Sequence, residues 1–508
     1  MKSIQSILNV NGEGHKIEVE CTLTNGLPSI IIIGLGNKSI EESKERIRSA
    51  FHCCKLEFPK KRITINLAPA DIPKESTSFD LAIAVAILLE QKNPQRMPED
   101  SAAFIGEIGL DGSIRSIRGI IGKIIAGKKL GIATFFIPHG NLRQATLIPD
   151  ITVIPFRSLS EVHTYLFTKD PIPSNSQSVE ITNSNKSQDA KLSEVVGQYN
   201  AKRALQIAAA GGHNILLNGP PGAGKSMLAK ALPSLLPPMS TDEMLEVTHL
   251  HSLASNNYED LICDRPFRTP HHTASRIAII GGGQVLKPGE ISLSHRGVLF
   301  LDEMPEFDRS TLESLRQPLE DRIIAISRAK ETALFPADFI LVATANPCPC
   351  GFYGSTQECQ CTMAQLQRYR QKISGPILDR IDLHVTVDTV DHGSLLQPAT
   401  NDDLRTIIEA ISRARSIQQG RFKSFQRLNA SMTNKELRAF CNFDVGSKVF
   451  LDVAAKKLSL SARSYMKVAK TARTIADLED SEAIKIAHIS EALQYRNSNN
   501  AHDVQGSA

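Results

Sequence analysis

Apolar residues follow two rhythms along the chain. Up to about Phe167, short β-branched runs (SIIIIGLG, RITINLAP, ATFFIPHG, DITVIPF) alternate with stretches of helical spacing such as FDLAIAVAILLEQ, and the region closes on SLSEVHTYLF. Such a mixture, punctuated by Gly, Pro and Asn, predicts one α+β domain over residues 1–167. Residues 168–191, TKDPIPSNSQSVEITNSNKSQDAK, hold too few large apolar side chains to offset the entropy of ordering and read as a flexible linker. NILLNG, GVLFLDE and FILVATAN follow with helical patterns between them, so residues 192–391 are expected to form an α/β domain on a parallel sheet. From 392 to 496 apolar residues recur at spacings of three and four, as in DLRTIIEAISRARSI and SYMKVAKTARTIADL, which predicts a helical domain. Residues 497–508 read as a disordered tail.

A length of 508 residues suits about three domains and excludes a lone binding module or a disulfide miniprotein. The apolar run around Ile30 to Ile33 is far short of the roughly 18 to 20 residues that span a bilayer, so no membrane segment is expected. MKSIQSILNVNGEGHK meets Asn and Gly before any sustained apolar run, which argues against a cleaved secretory signal and for the cytoplasm. The nine cysteines are odd in number, with four bunched between Cys348 and Cys361, and fit reduced thiols or metal ligands better than a disulfide ladder. A net charge of +4 neither demands nor forbids nucleic acid.

Chemistry concentrates in NILLNGPPGAGKS, which fits G-x-x-x-x-G-K-[ST] between an apolar strand and the helical pattern MLAKALPSLL. Gly219, Pro220, Pro221, Gly222, Ala223 and Gly224 supply a loop whose N–H groups can curl around phosphate at a helix N-terminus. Lys225 can reach the β- and γ-phosphates, and the Ser226 hydroxyl can ligate Mg²⁺. GVLFLDEM ends in Asp302 and Glu303. In P-loop ATPases an acidic pair there lets the Asp help hold Mg²⁺ while the Glu orients the attacking water. About eighty residues after a phosphate loop, the pair reads as the second half of an ATP site.

FILVATAN ends in Asn346, which resembles the sensor-1 residue of AAA+ ATPases. VVGQYNAKRALQIAAAGGHNILLNGPPGAGKS, RPFRTPHHTAS, ISLSHRGVLFLDEMPEF, NPCPCG and SGPILDRIDLHV together closely resemble the ComM/YifB family, the magnesium-chelatase-like AAA+ proteins of bacteria. The resemblance covers nearly the whole chain. It implies an AAA+ P-loop ATPase core with a helical lid, preceded by an α+β Lon-protease-like domain. It further implies a homo-oligomeric ring, usually a hexamer, with ATP and Mg²⁺ between neighbouring subunits, and a catalytic set of Lys225, Glu303, Asn346 and Arg380. Arg380 in ILDRID looks like an arginine finger delivered to the next subunit, the alternative being a surface pair with Asp379 or Asp382. Arg463 in SARSY is the candidate phosphate-sensing arginine of the lid, with Arg473 in TARTIADL its rival. Gln198 in VVGQ sits where the base pocket begins, or is a turn residue.

The family resemblance also implies a DNA motor: a helicase promoting branch migration in DNA recombination or natural transformation. It would bind single-stranded or branched DNA without reading sequence, with recombination or competence proteins as candidate partners. A remodelling or chelatase-type subunit acting on a protein partner is the alternative, and an ATP-dependent protease the third reading. RPFRTPHHTASRIAIIGGGQVLKPGE and DRIIAISRAKETALFPADF occupy the positions of pore inserts that grip nucleic acid in the resembling group, and carry Arg265, Arg268, Arg276, Lys287, Arg328 and Lys330. These cations can neutralise backbone phosphates, or belong to ordinary solvated loops. His271 and His272 read as packing residues.

Two further features stand apart. Cys348, Cys350, Cys359 and Cys361 form C-x-C-x₈-C-x-C, a candidate structural zinc site or else a cluster of idle thiols. In the Lon-like region Ser78 matches the nucleophile position and Ile121 the position of the lysine base. An alkyl side chain takes no proton, so the domain is expected to be proteolytically inert. Lys123, two residues on, is displaced by about 7 Å if that stretch is a strand.

Overall fold

The computed structural model describes residues 3–10, 13–34, 38–72, 74, 77–168, 192, 195–255, 259–283, 286–327, 332–354, 357–389, 402–424 and 426–496. Residues 169–191 of the expected linker, the tail 497–508, and the candidate cations Arg328 and Lys330 lie outside them. The chain divides into two compact units, Met1–Thr182 with Ser240–Cys263, and Asn183–Met239 with Asp264–Ala508.

The first unit is built on a seven-stranded mixed sheet in the order Ser29–Ile33, Arg62–Ala68, Glu13–Thr24, Ser3–Val10, Ala102–Phe104, Thr134–Pro138, Thr152–Phe156. In Arg62–Ala68 the side chains of Ile63, Ile65 and Leu67 are buried in alternation, as a half-buried strand requires. Asp80–Gln91 is buried from Asp80 through Leu89, which explains why its sequence is apolar on every face. The carboxylate of Asp80 is accommodated there by Arg46 Nε at 2.8 Å and by the Ser43 hydroxyl at 2.5 Å.

Ser240–Cys263 departs from the sequence expectation, which assigned it to the ATPase domain. Its helix, Thr241–Ala254, buries Leu245 in the cluster of Ile120, Ile121 and Ile124 in the first unit. Gln144 Nε2 donates to the Asp260 carbonyl at 3.1 Å. Close approach depends on Gly122, where a Cβ would lie 2.5 Å from the His249 ring. Periodicity gives the type of an element and says nothing of the sheet it packs against, so residues 192–391 looked continuous.

The second unit carries a five-stranded, all-parallel sheet in the order Phe267–Arg268, Val298–Leu301, Ile340–Ala345, Ile215–Asn218, Leu383–Thr386. Val298–Leu301 and Ile340–Ala345 are buried throughout, the continuous apolar signature of a sheet covered on both faces. Beyond it come the helices Asp402–Phe422, Asn434–Phe440, Val445–Lys457, Ala462–Leu478 and Ile486–Gln494. One apolar cluster runs from Leu217 and Leu228 of the sheet domain to Leu451, Ile475 and Ile489 of this lid. A polar lock accompanies it: Asp382 accepts from Lys467 Nζ at 3.0 Å and from the Asn214 amide at 3.2 Å, with His213 Nδ1 at 3.4 Å. Among the described residues no helix is long and apolar enough to cross a membrane.

Candidate functional site

Parallel strands in register bring the phosphate loop and the sensor strand to the same edge. Asn218 pairs with Ala345, so the next residues, Gly219 and Asn346, leave the sheet side by side, and the Gly219 amide donates to the Ala345 carbonyl at 3.2 Å. A Cβ at Gly219 would collide with the Val387 carbonyl oxygen, which is why this position needs glycine. Gly222 and Gly224 have φ of +78° and +87° with open space where side chains would stand, leaving the loop free to wrap a phosphate. The helix Lys225–Leu235 starts at once, its first-turn amides facing the loop.

Lys225 folds back into this loop. Its ammonium donates to the carbonyls of Gly219 at 2.5 Å and Pro220 at 2.8 Å and to Asn346 Oδ1 at 3.0 Å. Burial lowers its pKa, while the charges of Asp302 and Glu303 push the other way. The Ser226 hydroxyl lies 3.2 and 3.3 Å from the two carboxylate oxygens of Asp302. Hard oxygen donors of this kind suit Mg²⁺, so Ser226 and Asp302 fit the ion that accompanies a nucleoside triphosphate.

Thr344 was missed by sequence reasoning. Its hydroxyl donates to Asp302 Oδ1 at 2.6 Å and accepts the Glu303 amide at 2.9 Å, fixing both acids from the neighbouring strand. Glu303 itself has φ of +51°, a left-handed turn that carries it off the strand end. The available signal was a lone hydroxyl in the otherwise apolar run ILVATA, two residues before Asn346 and so on the same face. Tyr369 was also missed. It is hydrogen-bonded to the Asn346 backbone, and burial pushes its phenol up to about 12.

Gln198 caps the helix Tyr199–Gly211 at φ +54°, and its Nε2 donates to the carbonyls of Ala223 at 3.3 Å and Asp388 at 2.5 Å. It therefore ties the phosphate loop to the chain leaving the last strand. Arg380 and Arg463 share one partner, Glu320: Arg380 Nη2 donates to Oε2 at 2.5 Å and Arg463 Nη2 to Oε1 at 2.7 Å. The Arg380 hydrogen bond, with the charges of both arginines, holds the Glu320 carboxyl below its usual range. The three line a cleft of about 750 Å³ together with Arg322, Lys467 and Lys470. Among the described residues Arg380 pairs with Glu320 and with neither Asp379 nor Asp382, the latter being committed to Lys467. Arg473, the rival lid arginine, is 2% exposed and bonded to Asp477 and to the carbonyls of Ser481 and Glu482, a core role.

Two cations of the first basic insert are also committed to the fold. Arg265 donates to the carbonyls of Pro237 at 2.6 Å and Arg296 at 2.7 Å, and Arg268 forms a bidentate pair with Glu290 at 2.6 Å. Arg276 is exposed beside Ile277. The second insert is a hairpin of Ile323–Ser327 and Thr332–Pro336. The rings of His271 and His272 lie 4.2 Å apart and tilted. His272 is half-buried with its ring edge-on to Phe307, whereas His271 is exposed and bonded through Nδ1 to the Thr273 hydroxyl at 2.8 Å, so the packing expectation fits His272 alone.

In the first unit the expectation for Lys123 is corrected. Residues Ile120–Lys129 form a helix started by Gly119 at φ +65°, and the helical turn carries Lys123 to Ser78, Nζ to Oγ 3.2 Å. Ile121 faces the core at 0% exposed. Burial lowers the Lys123 pKa to about 8. A serine hydroxyl and a lysine thus meet after all, although Ser78 is 1% and Lys123 8% exposed.

Family models described as Magnesium chelatase, subunit ChlI, as Subunit ChlI of Mg-chelatase and as Magnesium chelatase, subunit ChlI C-terminal match residues 191–395, 19–141 and 402–496. The chain is 40% identical to Competence protein ComM of Haemophilus influenzae over 484 residues, 94% of each chain. It is 38% identical to YifB of Salmonella typhimurium over 501 residues, 97% of this chain and 96% of that one. The chain belongs to the ComM/YifB family. A Lon protease of Aster yellows witches'-broom phytoplasma is 28% identical over 166 residues, 30% of this chain and 21% of its own. As a member of the family the chain is a magnesium-chelatase-like AAA+ ATPase of the competence-protein kind, with ATP and Mg²⁺ as the cofactors the family suggests.

Proposed function

We propose that the chain is a ring-forming, ATP-driven DNA motor of helicase or branch-migration type, working in the cytoplasm on recombination or transformation intermediates. The observation that carries the ATPase half is the Lys225–Asn346 contact at 3.0 Å beside Ser226 and Asp302, because it joins the phosphate-binding lysine to the strand that senses it. Bound Mg²⁺ and ATP would supply the phosphoryl group. Lys225 then neutralises phosphate charge, Ser226 and Asp302 hold the ion, Thr344 fixes Asp302 and Glu303, and Glu303 orients the water. Arg380 and Arg463, held together on Glu320, would be presented as a pair to the nucleotide of a neighbouring copy, most simply in a hexamer. The DNA half draws on the likeness to a competence protein and on the basic inserts, where Arg276 is exposed and Arg265 and Arg268 serve the fold.

The test is the ATPase rate of the purified chain with and without single-stranded and forked DNA over a salt series. Stimulation of several-fold that fades with salt supports the motor. A rate indifferent to every DNA, at every salt, would favour remodelling of a protein client instead. A Lys225→Ala control should lose turnover in all conditions.

A further inference from the structure

The four thiols that follow the sensor strand take no part in the nucleotide chemistry described above. The Sγ atoms of Cys348, Cys350, Cys359 and Cys361 all lie within 4.8 Å of one another. Three pairs measure 3.3 Å (Cys348 with Cys350), 3.6 Å (Cys350 with Cys359) and 3.8 Å (Cys348 with Cys359). Four sulfurs placed about 2.3 Å from a zinc ion stand about 3.8 Å apart on the edges of a tetrahedron. The cluster already has that size. None of its cysteines is in a disulfide, and only Cys348 is buried, so apolar packing does not account for the grouping.

The backbone around the thiols is shaped for charge on sulfur. The Tyr353 amide donates to Cys348 Sγ at 3.3 Å, and the amides of Phe352 and Cys361 reach Cys350 and Cys359. N–H groups aimed at sulfur hold a thiolate in place as a second shell holds metal ligands. Gly351 and Gly354, at φ +87° and +78°, turn the chain back on itself between the two C-x-C pairs. Arg370 lies over the Tyr353 ring at 5.6 Å, a cation at the edge of the loop.

We propose that these four thiolates bind one Zn²⁺ as a closed structural centre, and that the centre buttresses the phosphate loop. Binding replaces four S–H protons, released to solvent, by four Zn–S bonds, leaving a site of net charge −2. With every position taken by protein sulfur there is no open coordination site for catalysis. The buttress follows from position. A Cβ at Gly351 would lie 2.6 Å from Pro221 Cδ, so the cysteine loop rests directly on the phosphate loop. Cys348 is two residues from Asn346, whose side chain holds Lys225. The buttressing half rests on the ATP-site reading; the metal half does not.

Elemental analysis of the full chain, purified under reducing conditions without added metal, should give about one zinc per chain. Titration of that protein with a mercurial should release the metal to a chromogenic chelator. The Cys359→Ser/Cys361→Ser variant should hold none. Should that variant fail to fold, Co²⁺ added to the metal-stripped parent chain gives an independent readout, the absorption bands of a tetrahedral tetrathiolate site. Four freely titrating thiols with no zinc and no cobalt bands would overturn the proposal. For the buttress, the zinc-free chain should bind a fluorescent ATP analogue about tenfold more weakly while its far-ultraviolet circular dichroism is retained. Unchanged nucleotide affinity would refute the buttress and leave the metal site standing, whereas an absence of nucleotide binding even in the zinc-loaded chain would instead strike the ATP-site reading.

Discussion

Lys123 shows how much one side chain decides. Among the described residues its ammonium meets the Ser78 hydroxyl at 3.2 Å and the Ile7 carbonyl at 3.4 Å, and burial depresses its pKa to about 8. The unfolded chain holds that proton up to about pH 10.4. Between those values the unfolded state binds more protons than the folded one, so stability rises with pH there and is flat in this respect below 8. A Lys123→Met variant should lose this rise. Its denaturation midpoint relative to the parent, followed from pH 7 to 10, should shift by an amount equivalent to roughly 3 kcal/mol. No pH-dependent difference would show that the lysine reaches water. The neutral lysine could take the Ser78 proton, but both groups are buried, Ser78 at 1% and Lys123 at 8% exposed, which leaves little of either for a peptide to reach in this conformation. We therefore expect no casein cleavage with ATP present. Cleavage that disappears in Ser78→Ala would establish the protease reading.

The lid helix Ala462–Leu478 is fixed to the sheet domain by a charge taken out of water. Lys467 Nζ sits 3.0 Å from Asp382, and the Lys467 and His213 partners hold the Asp382 carboxyl far below its usual range despite the opposing effect of burial. With a folded pKa below the unfolded one, this contribution is complete at neutral pH and is lost only as pH falls below the ordinary carboxylate range. Asp382→Asn leaves Lys467 buried without its counter-ion, a change that costs about 3 to 5 kcal/mol in such settings. Hydrogen exchange of residues 462–478 should accelerate by more than a hundredfold in this variant, with exchange in the first unit unchanged; parent-like protection would mean that apolar packing alone holds the lid. The lysine was legible in the sequence only as one of many basic residues on a helix. What could be read were features carried by local pattern: the strands NILLNG, GVLFLDE and FILVATAN, the phosphate loop and the acidic pair. What could not be read depends on which surfaces meet: the docking of Thr241–Ala254 in the first unit, Lys123 on a helix face opposite Ser78, Thr344 behind Asp302, and Glu320 between two arginines.

At the scale of the whole molecule the proposed ring makes Arg380 testable as a finger for a neighbouring copy's nucleotide. Glu320 holds it together with Arg463, and a carboxylate bridging two guanidiniums occupies the kind of place that a phosphate would take. In a ring, a phosphate from the next subunit would compete with Glu320 for both arginines. Arg380→Ala should then lower ATP turnover by about a thousandfold or more. Mixing makes the test specific to an interface. An Arg380→Ala subunit retains a working phosphate loop, and a Lys225→Ala subunit retains a working finger, so a seam between them in the correct order has both. Random equal mixing would make about a quarter of seams complete. Turnover of the mixture should therefore exceed that of either variant alone by orders of magnitude, and grow with protein concentration as rings form. A mixture no more active than its two components, under conditions where sizing shows mixed rings, would place Arg380 with its own subunit's Glu320 as a structural pair and remove the finger from the mechanism.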